Sequence, residues 1–229
     1  NKFAGGIPLD IGKLSRLETL DLSSNELSSD IPFTFKALSK LTFLSLRQNR
    51  LTGGVPSDLL RSATRLVQLH LDGNSFTSVP RELRALNKLH VLNLANNELG
   101  FVPTGLFELT NLKSLDMSEN SFGGTIPTQI GLMHGLTKLS LASNEFRGFI
   151  PTELGNLLNL SEILDLSRNR LAGSIPNQLG QLLRLQTLYL NSNELDGTIP
   201  SELVRLNEIK VVQFDDNRMA GQIPLVLCL

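Results

Sequence analysis

The sequence has few of the residues that crosslink a chain, fill an aromatic core or bind nucleic acid. Its 229 residues contain no Trp, one Tyr, three His and a single cysteine, Cys228. One cysteine excludes any disulfide within the chain. The 21 basic and 22 acidic residues give a net charge of −1, which does not support nucleic-acid binding through a broad basic surface. No apolar run reaches 18 residues, so this segment is not expected to insert directly into a membrane.

Motifs of catalysis and of cofactor binding are also missing. The sequence has no nucleophile elbow, phosphate-binding loop or paired-acid motif. His70, Asp72 and His90 are residue types that ligate metals, but no fixed ligand spacing supports such a site. We therefore predict no enzyme activity, no cofactor and no metal.

What the sequence does contain is a repeat of about 24 residues. The pattern LxxLxLxxN recurs along the chain, as in LETLDLSSN from Leu17 and LQTLYLNSN from Leu185. Each LxL pair alternates inward and outward as a short half-buried strand does, and a single coil cannot bury its Leu face without stacked neighbours. The repeat predicts a solenoid in which parallel strands, one per coil, form a continuous sheet.

The Asn that ends each pattern falls where the chain must turn inside the stack. Backbone groups in such a turn lose water, and an Asn amide can bond both its own coil and the neighbouring one. We predict a structural ladder of Asn side chains rather than a binding site. The ladder residues are Asn25, Asn49, Asn74, Asn97, Asn120, Asn144, Asn169, Asn193 and Asn217.

A proline follows each ladder position, and also Asn1, by six or seven residues. Proline fixes its own φ and favours an extended conformation in the residue before it. Each segment is therefore predicted to run extended up to the proline and then to enter a short helical turn. The prolines are Pro8, Pro32, Pro56, Pro80, Pro103, Pro127, Pro151, Pro176, Pro200 and Pro224.

The full pattern LxxLxLxxNxLxGxIPxxLGxL resembles the plant-specific class of leucine-rich repeats, and LDLSRNRLAGSIPNQLGQL from Leu164 matches it clearly. That class occurs in ectodomains of receptor-like kinases and receptor-like proteins, and related repeats occur in secreted algal proteins. The resemblance implies an α/β solenoid, a right-handed superhelix with a parallel concave sheet, a short second sheet at LxGxIP and short 3-10 or helical turns on the convex side. It also implies protein or peptide binding and an extracellular or cell-surface location.

Three departures from the pattern carry predictions of their own. The coils after Asn74 and Asn97 read SFTSVP and ELGFVP, one residue short, so the second sheet should be interrupted in both. The segment LNLSEILDLSRN has one extra residue, which predicts a bulge in or beside its strand. An insertion in DLLRSATRL, after Pro56, is predicted to loop outward.

The chain starts at a ladder-type Asn1 and ends within a coil, at GQIPLVLCL. We expect one solenoid of about ten repeats over residues 1–229, a fragment that lacks both terminal caps. Family resemblance implies that Cys228 pairs with a residue beyond the chain, and an ordinary buried thiol is the alternative.

Two clusters of outward-facing strand residues are the candidate partner-binding sites. An aromatic beside charged groups can anchor a partner, and scattered surface residues are the alternative interpretation. Patch 1 comprises Phe43, Arg47, His70, Asp72, His90 and Val91, and patch 2 comprises Tyr189, Asn191, Val211, Gln213, Asp215 and Asp216. Replacing Phe43 and Arg47 together, or Tyr189, is predicted to weaken partner binding without lowering thermal stability.

The leading hypothesis is a non-enzymatic recognition module that binds protein or peptide through the concave face. The alternative is a structural or assembly subunit of a larger complex, using convex or edge surfaces such as Phe101 and Phe107. The triplet Asn159-Leu160-Ser161 is a glycosylation acceptor pattern, which is compatible with secretion.

Overall fold

The computed structural model describes residues 1–222, and the chain divides into two compact units, Asn1–Ser121 and Phe122–Leu229. Each unit is a stack of coils, as the 24-residue period predicts. Pro224 and Cys228 lie outside the described residues, and the predictions made for them stay predictions.

The LxL segments form a parallel sheet of short strands in each unit, called here the LxL sheet. The middle residue of each strand faces the core, and Leu44 and Leu164 are fully buried. With strands numbered in chain order, the LxL sheet of unit 1 contains β2 (Thr19–Asp21), β4 (Phe43–Ser45), β6 (Gln68–His70), β8 (Val91–Asn93) and β9 (Ser114–Asp116). That of unit 2 contains β11 (Lys138–Ser140), β13 (Ile163–Asp165), β15 (Thr187–Tyr189) and β17 (Val211–Gln213).

A second parallel sheet follows the ladder Asn in each unit, where the sequence predicts an extended segment. In unit 1 it contains β1 (Ala4–Gly6), β3 (Glu26–Asp30), β5 (Arg50–Gly54) and β7 (Ser75–Ser78). In unit 2 it contains β10 (Gly123–Gly124), β12 (Glu145–Gly148), β14 (Arg170–Gly173) and β16 (Glu194–Leu195).

The predicted interruption of the second sheet is right for one short coil and wrong for the other. The coil after Asn74 forms β7, which pairs with β5 through a register shift between Gly53 and Gly54. The shift leaves Thr77 of the short coil without a paired residue on β5. In the coil after Asn97 the described backbone forms no strand, and Phe101 lies 91% exposed.

Each coil from that of Pro8 to that of Pro200 returns through a short helical turn that begins directly after its proline, as predicted. The φ values of these prolines lie between −60° at Pro32 and −77° at Pro80, and Pro removes only a donor that the first turn would leave unpaired. Eight of the turns are 3-10 helices: Leu9–Lys13, Phe33–Ala37, Arg81–Ala85, Thr104–Glu108, Thr128–Leu132, Thr152–Asn156, Asn177–Gln181 and Ser201–Arg205.

The insertion after Pro56 does not loop outward, and that prediction is wrong. It lengthens the turn into an α-helix, α1 (Ser57–Ser62), in which Leu60 N–H donates to Pro56 O at 3.3 Å. A helix with 3.6 residues per turn accommodates one more residue than a 3-10 turn over the same path. The extra residue thereby lets both Leu59 and Leu60 bury completely.

The extra residue before β13 lies beside the strand, and the strand itself keeps its register. Ile163, Leu164 and Asp165 pair without a shift with Lys138, Leu139 and Ser140 of β11. The extra residue is accommodated just before β13, where the N–H groups of Ser161 and Glu162 both donate to Thr137 O. The prediction of an irregularity is right in position, but the strand pairing shows no bulge.

The ladder asparagines hold successive coils together. In Asn49, Oδ1 accepts the N–H of Leu27 from the preceding coil at 3.0 Å, and Nδ2 donates to Leu22 O of that coil and Leu46 O of its own at 2.9 and 3.0 Å. All nine ladder residues accept from the preceding coil and donate within their own. Asn144 and Asn169 are buried, and the others are half-buried.

Candidate functional site

Patch 1 is organised around an aromatic contact on the solvent side of the LxL sheet in unit 1. Phe43 on β4 and His70 on β6 have ring centroids 5.6 Å apart with the planes tilted by 43°. His70 Nε2 also lies 3.3 Å from Gln68 Oε1 on the same strand. Because successive residues of a strand face opposite sides of the sheet, Phe43, Gln68 and His70 can share one side. Phe43 and His70 are both half-buried, so part of each ring meets solvent.

An ion pair lies next to this aromatic contact. Arg47 Nε is 3.1 Å from Asp72 Oδ2, and the Arg47 side chain keeps 53% of its surface exposed. Asp72 is only 9% exposed, and its Oδ1 has no hydrogen-bond partner among the described residues. Asp72 was predicted to be an outward surface residue, and its burial beneath Arg47 is a correction. The guanidinium is thus held by the acid and presents its remaining surface to solvent.

Burial perturbs both titratable groups that flank the ring contact. Loss of water raises the pKa of the Asp72 carboxyl, and the positive charge of Arg47 opposes that rise. Loss of water also lowers the pKa of His70, against the attraction of Asp72. The neutral form of His70 is therefore favoured, which suits contact with the Phe43 ring.

The ion pair argues against the prediction that Arg47 can be replaced without lowering thermal stability, because Arg47 is the counter-charge of a mostly buried carboxylate. Replacing it with Ala should lower the free energy of unfolding by about 2 kcal/mol at pH 7, since a mostly buried carboxylate loses its counter-charge. Without Arg47 the folded-state pKa of Asp72 should rise further above its unfolded value. As the pH falls through that pKa, the Asp72 carboxyl of the folded variant becomes protonated and neutral. The loss in the free energy of unfolding should therefore be smaller at low pH than at pH 7. Urea unfolding at pH 7 and at about pH 4.5 measures both effects.

Arg50→Ala is the matched control for this experiment. Arg50 also pairs with a carboxylate at 3.1 Å, that of Glu26, but both side chains are well exposed. Its removal should cost less than about 1 kcal/mol and should show little dependence on pH. Equal losses for Arg47→Ala and Arg50→Ala at both pH values would contradict the role given to Asp72.

The remaining members of patch 1 are arranged less tightly. Val91 on β8 is in register with Gln68 of β6, which is in register with Phe43 of β4. The three side chains therefore form one row across three strands. His90 precedes β8, and among the described residues no hydrogen bond or ring contact joins its side chain to the others. The compact part of patch 1 is Phe43, Arg47, His70 and Asp72.

Patch 2 lies on the LxL sheet of unit 2 and has no comparable centre. Tyr189 on β15 is in register with Gln213 on β17, and Val211 is in register with Thr187. Val211, Gln213, Asp215 and Asp216 are exposed, while Tyr189 and Asn191 are half-buried. Asn191 Nδ2 makes a long contact with Ser192 Oγ at 3.5 Å. Asp216 has a left-handed φ of 55° and belongs to the turn rather than to the strand.

Two features of the surface were not found from the sequence. Gln68 belongs to patch 1 because its side chain contacts His70. Its pairing in register with Phe43 is the one sequence signal that could have indicated this contact. Phe149 is 74% exposed in unit 2, five residues after Asn144, where the equivalent positions hold Asp30, Gly54, Ser174 and Thr198. An alignment of the repeats would have singled out Phe149, because it is an aromatic residue at a position that is small or polar in those coils.

Three further observations concern metal ligands, membrane spans and the glycosylation triplet. Within residues 1–222 there is no group of three or more His, Cys, Asp or Glu side chains arranged to hold a metal ion. Over the same residues, no helix has the length and apolar character needed to cross a membrane. Asn159 is exposed, and its Nδ2 donates to His134 O of the preceding coil at 2.9 Å.

Family models match most of the repeats. One, described as leucine rich repeat, matches residues 11–51, 64–122 and 87–146, and a second with the same description matches residues 162–182 and 184–206. Receptor-like protein 41 of Arabidopsis thaliana is 36% identical over 128 residues, which is 55% of this chain and 14% of that protein. The chain therefore matches only a small part of the length of such a relative.

Solved structures match the chain over nearly all of its length. The leucine-rich-repeat ectodomain of the plant membrane receptor kinase GASSHO1/SCHENGEN3 from Arabidopsis thaliana, in complex with CASPARIAN STRIP INTEGRITY FACTOR 2, is 35% identical with a TM-score of 0.96. That match covers 99% of this chain and 27% of the other. The Arabidopsis receptor kinase HAESA, in complex with the peptide hormone IDA and the co-receptor SERK1, is 34% identical with a TM-score of 0.91 over 98% of this chain and 37% of its own.

Proposed function

The chain belongs to the leucine-rich repeat family, and we propose that it is a non-enzymatic recognition segment of an extracellular, receptor-like protein that binds a peptide or protein ligand through the LxL sheet. The similar receptor kinase HAESA is solved in complex with the peptide hormone IDA, which supports a ligand of this class. The observation that carries the proposal for this chain is the compact centre of patch 1. An aromatic ring, a half-exposed guanidinium and an imidazole lie together on one side of the sheet.

The chemistry of patch 1 suits a peptide side chain and its flanking backbone. The Phe43 and His70 rings offer apolar surface, and aromatic residues and Arg dominate the energetics of many interfaces. The ion pair with Asp72 fixes the Arg47 guanidinium before a ligand arrives, so less side-chain entropy is lost on binding. Patch 2 remains a second proposed contact region, with Tyr189 as its aromatic member.

Phe43→Ala tests the proposal, with Arg47 left in place to keep Asp72 paired. A random 12-residue peptide library displayed on phage supplies a probe, selected on the wild-type chain and then synthesised. We expect Phe43→Ala to weaken that peptide by about tenfold or more in calorimetry, with a melting temperature close to that of the wild type. Phe101→Ala removes an exposed phenylalanine outside both patches and should leave the affinity unchanged.

The outcomes separate the two patches. Loss of affinity on Tyr189→Ala alone would move the proposed site to patch 2. Unchanged affinity in both Phe43→Ala and Tyr189→Ala would remove the LxL sheet as the binding surface of the selected peptide.

A second candidate function, an assembly subunit of a larger complex, is favoured by one observation. Phe101 is 91% exposed in the coil where the second sheet of unit 1 ends, while Phe107 is half-buried in the following turn. A surface of this kind suits a permanent partner better than a soluble ligand. The protein isolated from its source should then elute as part of a stable complex, whereas a ligand-binding module should elute alone.

A further inference from the structure

A groove on the flank of unit 2 lies away from the LxL sheet, between the second sheet and the 3-10 turns. It is formed by three successive coils, those of Asn144, Asn169 and Asn193. Phe149 forms one wall, and Pro176 and Pro200 lie at the bases of the turns. None of the residues that line the groove is charged.

The Phe149 side chain lies against the next coil rather than free in solvent. Its ring lies against Gly173 so closely that a methyl group on Gly173 would come within 2.5 Å of Phe149 Cδ1. Gly173 has a φ of +73°, a conformation that glycine adopts readily, so the next coil provides both the turn and the space for the ring. The Cδ1–Cε1 edge of the ring therefore lies against the next coil, and the residue is still 74% exposed.

The Phe149 ring is surrounded by neutral hydrogen-bonding side chains, most of which have no partner within residues 1–222. The side chains of Ser174, Asn177, Gln178 and Thr198 line the groove, and none of them makes a hydrogen bond within residues 1–222. A fifth polar residue, Thr152, is already engaged, because its Oγ1 lies 3.3 Å from Glu153 Oε2. The hydroxyl and amide groups can both donate and accept.

We propose that this groove binds a neutral, extended oligosaccharide. The negative face of an aromatic ring attracts the C–H groups of a pyranose ring, whose hydroxyls match the surrounding amides and hydroxyls. The absence of charge in the lining disfavours acidic sugars and charged peptides, which would lose water without a counter-charge. Strands that pair in the second sheet are about 4.8 Å apart, an interval similar to the rise per sugar in an extended β-linked glycan.

This site is independent of the peptide-binding proposal, because it uses another surface and another class of ligand. Unit 2 would contact glycan through its flank while the LxL sheet stays open. An oligosaccharide should therefore bind equally well to wild-type chain and to Phe43→Ala.

The experiment measures binding of cellohexaose, mannohexaose and hexagalacturonate to the wild-type chain by calorimetry. We expect at least one of the two neutral hexasaccharides to bind, with hexagalacturonate much weaker. Phe149→Ala and Phe149→Leu should each reduce the affinity by about tenfold or more, while Phe149→Tyr should stay within about threefold. The Leu variant retains apolar bulk without a ring face, so it separates stacking from simple burial.

Phe101→Ala is the matched control, since Phe101 is also highly exposed but lies in unit 1 outside the groove. Circular dichroism and melting of each Phe149 variant check that the fold persists, which its exposure favours. Several results would overturn the proposal: no binding of either neutral hexasaccharide at millimolar concentration, equal binding of hexagalacturonate, or full affinity in Phe149→Ala or Phe149→Leu. Binding of a selected protein at this groove with no glycan affinity would also overturn it.

Discussion

Replacing Asn169 with Ala should lower the free energy of unfolding by about 4 kcal/mol or more, since several buried backbone groups lose their partner together. Asn169 is 9% exposed, and its Oδ1 accepts the N–H of Phe146 at 3.0 Å. Its Nδ2 donates to Leu141 O of the preceding coil and to Leu166 O and Ser167 O of its own. Ala can fill none of these roles, and water has little access to the turn. Urea unfolding followed by circular dichroism measures the loss.

Asn159→Ala provides the control in the same unit. Asn159 also bonds the preceding coil, through Nδ2 to His134 O, but it is exposed and water can replace it. We expect a change of less than about 1 kcal/mol. Amide hydrogen exchange adds a spatial test, because in a repeat protein the loss should concentrate in the coils that Asn169 joins. Similar effects of the two substitutions would show that the ladder contributes no more than a surface hydrogen bond.

The sequence was enough to predict the coils because each repeated residue has the same physical task in every copy. A Leu such as Leu44 must be inward wherever the strand occurs, and an Asn such as Asn49 must satisfy the turn that follows. Ten weak local signals in register then act as one strong signal. The leucine-rich-repeat solenoid, its two kinds of parallel sheet and its proline-initiated turns are all confirmed.

Insertions and deletions were harder to predict because the pattern does not specify how a coil absorbs them. One extra residue after Pro56 became a turn of α-helix that buried Leu60, whereas one extra residue before β13 shifted only the hydrogen bonds of Ser161 and Glu162. Both outcomes preserve the inward Leu positions. Core packing, rather than local loop preference, decided where the extra backbone went.

In the candidate site, too, the features that follow from the repeat were predictable and those that depend on side-chain direction were not. The repeat predicted that Phe43 and His70 lie close together, and their rings are in contact. The contact is diagonal, because Phe43 pairs with Gln68 and His70 with Ser45. The burial of Asp72 depends on how the long Arg47 side chain crosses to the next coil, and side-chain direction is not part of the repeat pattern. Phe149 lies within the LxGxIP motif, and its 74% exposure beside the buried Ile150 is a property that the repeat pattern does not specify.

The glycine of the LGxL motif gives the second large expected effect. A Cβ added at Gly155 would lie 2.5 Å from Gln178 O and 2.9 Å from Gln178 C, both backbone atoms of the next turn. Those atoms cannot rotate away as a side chain can, so Gly155→Ala must push the Thr152–Asn156 and Asn177–Gln181 turns apart. We expect a loss of about 3 kcal/mol, at the upper end of overpacking effects. The shift of the urea midpoint and of the melting temperature measures it.

Gly123→Ala separates this steric effect from the loss of a glycine as such. Gly123 lies in β10 of the same unit, has no atom within 4 Å of an added Cβ and does not have a positive φ. Because Ala restricts the unfolded chain more than Gly does, the substitution should be neutral or stabilise by up to about 1 kcal/mol. Opposite signs at Gly155 and Gly123 would show that the motif glycine is required for the close approach of consecutive turns. A stable Gly155→Ala variant would mean that the turns can separate without loss, and the stack would then not depend on their contact.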